Sequence, residues 1–297
     1  MSRKMIVGMG EILWDIFEDK KRLVGAPANF AYNLSQFGMH SRVISAVGKD
    51  KLGDEIVSFL DEKGVEHSLA RVDKPSGTVL VSVDSEGIPS YEITRDVAWD
   101  FIPFTSELRA YAKNTQVFCF GSLAQRSEKS RAAINSFLDI MPSSPSSMKI
   151  FDINLRQGYY NAEILNASFN KCNVLKTNDE ELEVIARYLG YDHLGTLGAC
   201  KALVHMFNFK ALILTCGING SYVFTQESYS FYETPRVEVV DTVGAGDAFL
   251  SGFVAAVLSG KSMSDAHHFA VDASAFVCTQ VGAMVTYPSE LLDRLNS

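Results

Sequence analysis

Residues 240–249, VDTVGAGDAF, set an aspartate three positions after a glycine at the start of a mostly apolar run, AFLSGFVAAVLSG. The preceding PRVEVVD alternates with the period of a strand, so the segment reads as strand, glycine-rich turn and helix start. The first N–H groups of a helix have no partner inside it, and the helix dipole adds partial positive charge there. Gly244 and Gly246 let a ligand approach the backbone closely. Together these features predict an anion hole suited to a phosphoryl group. Asp247 falls in the first helical turn, beside whatever anion binds. It reads either as a capping residue, worth about 1 kcal/mol, or as a carboxylate that takes a proton from a hydroxyl as its oxygen attacks phosphorus. A cap does not require glycines on both sides of Ala245. The turn is also expected at the C-terminal end of a strand, where open α/β sheets bind ligands. Both points favour the base.

The elements that must hold this turn are written as short apolar runs between amphipathic stretches. KMIVGMG, SRVISAVG, TQVFCFG, MKIFDIN, CNVLKTN and KALILTCG read as strands. PANFAYNLSQFG, with Pro27 near its first turn and Gly38 as its stop, and LGDEIVSFLDEKG, ended by Gly64, read as helices. This alternation predicts an α/β fold, a mostly parallel sheet with helices on both faces. The rhythm breaks at about 71–102, where SGTVLVSVDSEGIPSYEIT shows two period-2 runs around a turn at Glu86 and Gly87, an antiparallel hairpin. EILWDIF is a further short strand. A small antiparallel sheet here would serve as a lid, a dimer surface or a covered edge.

At 297 residues and 47% apolar content the chain can bury a large core in one domain, 1–297. A formal net charge of −8 argues against nucleic acid or an anionic membrane as partner. No stretch of about 18 apolar residues is present and the start lacks a signal-peptide pattern, so a cytoplasmic protein is expected. Five scattered cysteines read as reduced thiols. GMGEIL begins like a dinucleotide-binding turn but carries Leu13 where the third glycine belongs.

DTVGAGDAFLSGF closely resembles the C-terminal signature of the ribokinase-like (PfkB) family of carbohydrate kinases, and VGAPANFAYNLSQFGMHSRVISAVGKDKLGDEI is similar to its N-terminal signature. With DINLR, KTNDEEL and LTCGINGS in order, the resemblance covers nearly the whole chain. It implies a ribokinase-like three-layer α/β/α fold with a small antiparallel β lid, drawn from about 11–24 and 71–102. It also implies ATP and Mg²⁺ as cofactors and a sugar as acceptor, with no nucleic acid or membrane partner and the lids as a candidate homodimer surface. In that family the residue matching Asp247 is the general base, and the backbone of Gly244, Ala245 and Gly246 stabilises the transferring phosphoryl group. Asp15, Gly25 and Asn29 would meet sugar hydroxyls, a task that suits a carboxylate acceptor and an amide. Asp152, Asn154 and Arg156 would lie near substrate and phosphate, with Arg126 a weaker candidate. Asn178 and Glu181 would organise water around Mg²⁺. Thr215, Gly217 and Gly246 would contact nucleotide phosphates, and adenine would lie near SDAHHFAVDASAFVC. Asp241, the main chain at Val243 and Gly282 match a region that binds K⁺ in many relatives. Val24 stands where many relatives have a second glycine, which bears on the shape of the sugar pocket. GAPAN and DINLR favour fructokinase; ribokinase, 2-keto-3-deoxygluconate kinase, a nucleoside kinase and a non-catalytic sugar-binding regulator are the alternatives.

Overall fold

A computed structural model describes residues 5–18, 20–83 and 89–296. The chain opens with strands β1 (Met5–Met9), β2 (Leu13–Ile16) and β3 (Lys21–Val24), then helix α1 (Ala26–Gln36), β4 (Ser41–Gly48), α2 (Lys51–Glu62) and β5 (Glu66–Val72). Next come β6 (Gly77–Val83), β7 (Pro89–Ile93), α3 (Ser106–Asn114), β8 (Thr115–Phe120), α4 (Glu128–Ile140), β9 (Met148–Asp152) and α5 (Ala162–Lys171). The remainder is β10 (Val174–Asn178), α6 (Asp179–Leu189), α7 (Gly195–Phe207), β11 (Ala211–Thr215), β12 (Ser221–Phe224), β13 (Tyr229–Tyr232), α8 (Ala245–Leu258), α9 (Met263–Cys278) and α10 (Ser289–Asn296).

Among the described residues the main sheet has nine strands in the order β13-β12-β11-β10-β9-β8-β1-β4-β5, parallel from β11 to β5 and antiparallel at the β11–β12–β13 end. Its central strands are buried on both faces, which is why they read as continuous apolar runs. One face carries Phe118, Phe120, Phe137, Phe151 and Phe169 under α4 and α5; the Phe118 and Phe137 rings stack at 4.3 Å. The other carries Phe30, Phe249 and Phe253 from α1 and α8, with α9 behind them. These are the three layers of an α/β/α fold. Close approach fixes α1 on β1: a Cβ at Gly8 would lie 2.6 Å from the Pro27 carbonyl oxygen. Among the described residues no helix is long and apolar enough to cross a membrane, and all five cysteines are free.

A second sheet of four strands, β3-β2-β6-β7, is antiparallel at β2–β3 and β6–β7 and parallel at β2–β6. The expected hairpin is therefore present as β6 and β7, and its turn at Glu86 and Gly87 lies outside the described residues. β5 pairs into the main sheet, so the small sheet draws on 13–24 and 77–93.

The expected strand at PRVEVVD is not one. Residues 235–241 form no regular element, bend at Val240 and join neither sheet. Val237, Val239 and Val240 are exposed, and the N–H groups of Val240 and Asp241 hang from the Cys278 carbonyl at the end of α9. Period-2 alternation does not fix whether a neighbouring strand pairs with a segment; that is decided elsewhere in the chain. The glycine turn thus follows an irregular surface segment rather than a sheet strand.

Candidate active site

The turn itself forms as expected. Gly244, at φ 81°, caps α8 from the left-handed region, and no side chain caps the helix. Its lack of a side chain serves packing rather than a ligand: a Cβ there would sit 2.3 Å from Ala283 Cβ. Asp247 does not act as the cap. Its Oδ2 instead accepts a hydrogen bond of 2.7 Å from Asn29 Nδ2, so α1 and α8 meet at this carboxylate. The side chain is half-buried and keeps solvent access. Burial raises its pKa from 3.8 to about 7; the charge of Asp152 adds to the rise, the Asn29 bond and Lys176 oppose it, and Glu11 adds a smaller push. A carboxyl tuned to neutral pH is matched to general-base work.

Two residues join this site that the sequence reading did not single out. Lys176, in the middle of β10, lies opposite Asp152 of β9 in the parallel register, and the two form a buried ion pair at 2.8 Å. Burial alone would lower the lysine pKa, but Asp152 and then Glu181 outweigh it and hold the ammonium charged. A Cβ on Gly246 would lie 3.2 Å from Lys176 Nζ. The ammonium therefore rests against the glycine turn, a fixed cation beside the main-chain donors. The available signal was a lysine inside an apolar strand run, VLKTN, where only a paired charge is tolerated. Glu11, after β1, is 4% exposed, and its Oε2 has no hydrogen-bond partner. Burial raises its pKa, against its own backbone bond and the charge of Arg156.

Asp15 in β2 is half-buried, and burial raises its pKa against the charges of Arg22 and Arg156. Gly25 precedes α1, and a Cβ there would meet the Glu11 carbonyl at 2.6 Å, so backbone packing explains the glycine. Val24 pairs with Leu13 across β2–β3 and packs on the main core. Asn29 is buried, and its Oδ1 has no partner. Asp152 is committed to Lys176, leaving it less free for a sugar hydroxyl than expected. Asn154 adopts φ 45° and lends its carbonyl to Ser122. Arg156 is exposed and donates to the carbonyl of its neighbour Leu155; its charge is felt at Glu11 and Asp15. Arg126 is buried in a two-pronged pair with Asp100, a structural role.

Asn178 and Glu181 form a reciprocal capping box at the start of α6, Asn178 Oδ1 accepting from Glu181 N at 2.8 Å and Glu181 Oε2 from Asn178 N at 3.0 Å. Glu181 Oε1 also accepts from Leu155 N. A carboxylate so engaged suits an outer-sphere role toward a hydrated ion better than direct ligation. Thr215 ends β11, and Gly217 follows at φ 54° in an exposed turn. His267 of α9 is buried between Ser221 and Ser230. Burial lowers its pKa to about 4, helped by His268, so it is a neutral core residue. His268 is exposed and stacks on the Tyr232 ring that His267 meets edge-on. The Asp241 carboxylate is held by the N–H groups of Val243 and Gly282 and by Arg22.

A base near neutrality, a fixed cation and main-chain donors at a helix start are the parts that phosphoryl transfer requires. Comparisons with known proteins agree on the class. The pattern of the pfkB family carbohydrate kinases matches residues 10–290, and the chain belongs to that family. It is thus a phosphotransferase with an alcohol group as acceptor. An ATP-dependent 6-phosphofructokinase of Thermoanaerobacterium thermosaccharolyticum is 30% identical over 275 residues, covering 91% of this chain and 83% of that protein. A protein named probable fructokinase-7 of Arabidopsis thaliana is 28% identical over 315 residues, covering 97% and 91%. The crystal structure of a fructokinase with bound ATP from Xylella fastidiosa superposes with a TM-score of 0.85 at 22% identity, covering 99% of this chain and 98% of that one. That likeness shows the same three-layer fold with its small second sheet, the ribokinase-like arrangement expected.

Proposed function

We propose that this carbohydrate kinase transfers the γ-phosphoryl group of ATP to a primary hydroxyl of a sugar, with fructose as the preferred acceptor. The observation that carries the proposal is the Asp247 carboxylate, brought to about pH 7 and oriented by Asn29 at the foot of the glycine turn. In this reading Asp247 removes the hydroxyl proton, the oxygen bonds to the γ-phosphorus, and the bond to ADP breaks. The proton stays on Asp247. Lys176 and the main-chain N–H groups of Gly244 and Gly246 offset the charge spread over the phosphoryl oxygens, joined by that of Ala245 if it leaves the Thr242 carbonyl to which it now donates. Asp15 and the unpartnered Asn29 Oδ1 and Glu11 Oε2 accept from sugar hydroxyls, satisfying buried groups that are costly to leave unmade. Thr215 and Gly217 lie on the nucleotide side. Mg²⁺, when bound with the phosphates, would lower the charge barrier to attack, its waters ordered by Asn178 and Glu181. The small sheet would close as a lid that excludes water, and its outer face, where Leu80 is 50% exposed, would pair two chains.

A second acceptor, fructose 6-phosphate, is favoured by two observations: a 6-phosphofructokinase is 30% identical to the chain, and the charges of Arg22 and Arg156 both act on Asp15. A coupled ADP-release screen over fructose, fructose 6-phosphate, ribose, 2-keto-3-deoxygluconate and nucleosides decides the matter. The highest kcat/KM is expected with fructose. A maximum on fructose 6-phosphate moves the assignment to the second acceptor, and ADP release that no acceptor stimulates removes the catalytic reading in favour of a sugar-binding regulator.

A further inference from the structure

Among the described residues, one ion pair crosses from the small sheet to the segment that leads into the glycine turn. Arg22 Nη1 of β3 donates to Asp241 Oδ2 at 2.8 Å, a link between residues 219 apart in sequence. The same oxygen accepts from Gly282 N at 3.1 Å, and Asp241 Oδ1 accepts from Val243 N at 3.0 Å. Asp241, Val243 and Gly282 are the residues considered above for K⁺. They do not fit a metal ion here. A cation needs oxygen lone pairs, yet three of the about four lone-pair sites of the carboxylate are taken, by the N–H groups of Val243 and Gly282 and by the guanidinium, whose own positive charge repels a second cation. Asp241 has 20% of its side chain exposed and Arg22 32%, so the pair is largely shielded from solvent.

On the proposed kinase reading, we infer that Arg22 is a built-in cation that replaces a monovalent metal ion at Asp241 and makes turnover independent of one. The charge matters because Asp241 is tied through Val243 N to the turn that begins at Gly244. An unneutralised carboxylate there would oppose the phosphate charge the turn must receive. Arg22 also stands opposite Asp15 in the β2–β3 register, 3.9 Å from its carboxylate. It is thereby a positioning residue shared by the acceptor side and the phosphate side: a sugar that draws Asp15 and β3 inward holds the guanidinium on Asp241. Arginine suits this role because it is always charged and offers several donors in a fixed fork.

The test compares wild type, Arg22→Ala and Arg22→Lys in potassium and choline chloride at equal ionic strength. Wild-type kcat/KM should be the same in both salts. Arg22→Ala should lose about tenfold in choline, within the usual range of coupling between sites, and recover most of it in potassium. Arg22→Lys, which keeps the charge, should stay indifferent to the cation. Thermal melting without substrates gives a readout independent of turnover: potassium should raise the melting temperature of Arg22→Ala selectively and leave wild type unchanged. Selective activation or stabilisation of wild type by potassium overturns the inference, as does an Arg22→Ala variant that neither slows nor responds. If Arg22→Ala does not fold, the wild-type and Arg22→Lys comparisons still decide. An absence of kinase activity on every acceptor would count against the proposed function, and the melting series would still test Arg22.

Discussion

Replacing Asp247 by Asn should stabilise the folded protein, and the gain should depend on pH in a defined way. The native fold raises the Asp247 pKa from 3.8 to about 7, chiefly by burial. A rise from 3.8 to about 7 corresponds to about 4 kcal/mol, since each tenfold change in proton affinity is about 1.4 kcal/mol. Partial solvent access reduces this, so a gain of roughly 2–4 kcal/mol is expected, or about 4–8 °C in melting temperature for a chain of this size. Below about pH 4 the carboxyl is neutral in both folded and unfolded chains, and wild type and variant should melt together. Between about pH 4 and 7 the unfolded carboxyl ionises while the folded one stays protonated, so wild type loses stability as pH rises and the Asp247→Asn variant does not. Above about pH 7 the difference should level off. The Asn29 donor is not orphaned, since an amide oxygen can accept in place of the carboxylate. Melting curves followed by circular dichroism across this range give the answer. Melting temperatures that run parallel in wild type and variant at every pH would show that the fold does not strain this carboxylate.

Three further outcomes follow from the same geometry. Asp152→Asn removes the charge that, after burial, most raises Asp247, and it frees the Lys176 ammonium to act on Asp247, so the acid limb of kcat/KM should move to lower pH; Lys176→Met should move it up, and movement of either limb the other way contradicts the electrostatic assignment. Gly244→Ala forces a Cβ to within 2.3 Å of Ala283 Cβ at a φ of 81° and should cost about 2–5 kcal/mol. Gly246→Ala meets Lys176 Nζ at 3.2 Å without a positive φ, so it presses on the ion-paired ammonium but should cost less than Gly244→Ala, about 1–2 kcal/mol, a contrast readable by denaturant titration. Arg126→Ala leaves Asp100 buried without its partner and should cost about 3–5 kcal/mol, while kcat/KM of the folded fraction changes little.

The strands and helices that carry the site were legible because two-sided burial writes apolar runs and one-sided burial writes amphipathic ones. KMIVGMG, TQVFCFG and the Pro27-led helix all fall where their patterns put them. The segment at 235–241 misled because alternation of valines carries no information on whether a neighbouring strand pairs with it, and here none does. Asp247 could be found from spacing alone, since a glycine-rich turn and a carboxylate in the first helical turn are local in sequence. Lys176 and Glu11 could not. Their standing depends on register and on burial contributed by distant strands, as the Lys176–Asp152 pairing across β9 and β10 shows. At Gly244, where the sequence suggests room for a ligand, the space is filled by Ala283 of the same chain. The Asn178–Glu181 spacing likewise satisfies a helix cap before it serves any ion.

The most direct measurement is single-turnover phosphoryl transfer by Asp247→Asn, with acceptor and ATP affinities determined on the same preparation by calorimetry. A carboxylate that takes the acceptor's proton predicts a rate loss of about 10²–10⁴ with affinities changed only a few-fold. A correctly folded variant that transfers phosphate at close to the wild-type rate would contradict the role given to Asp247.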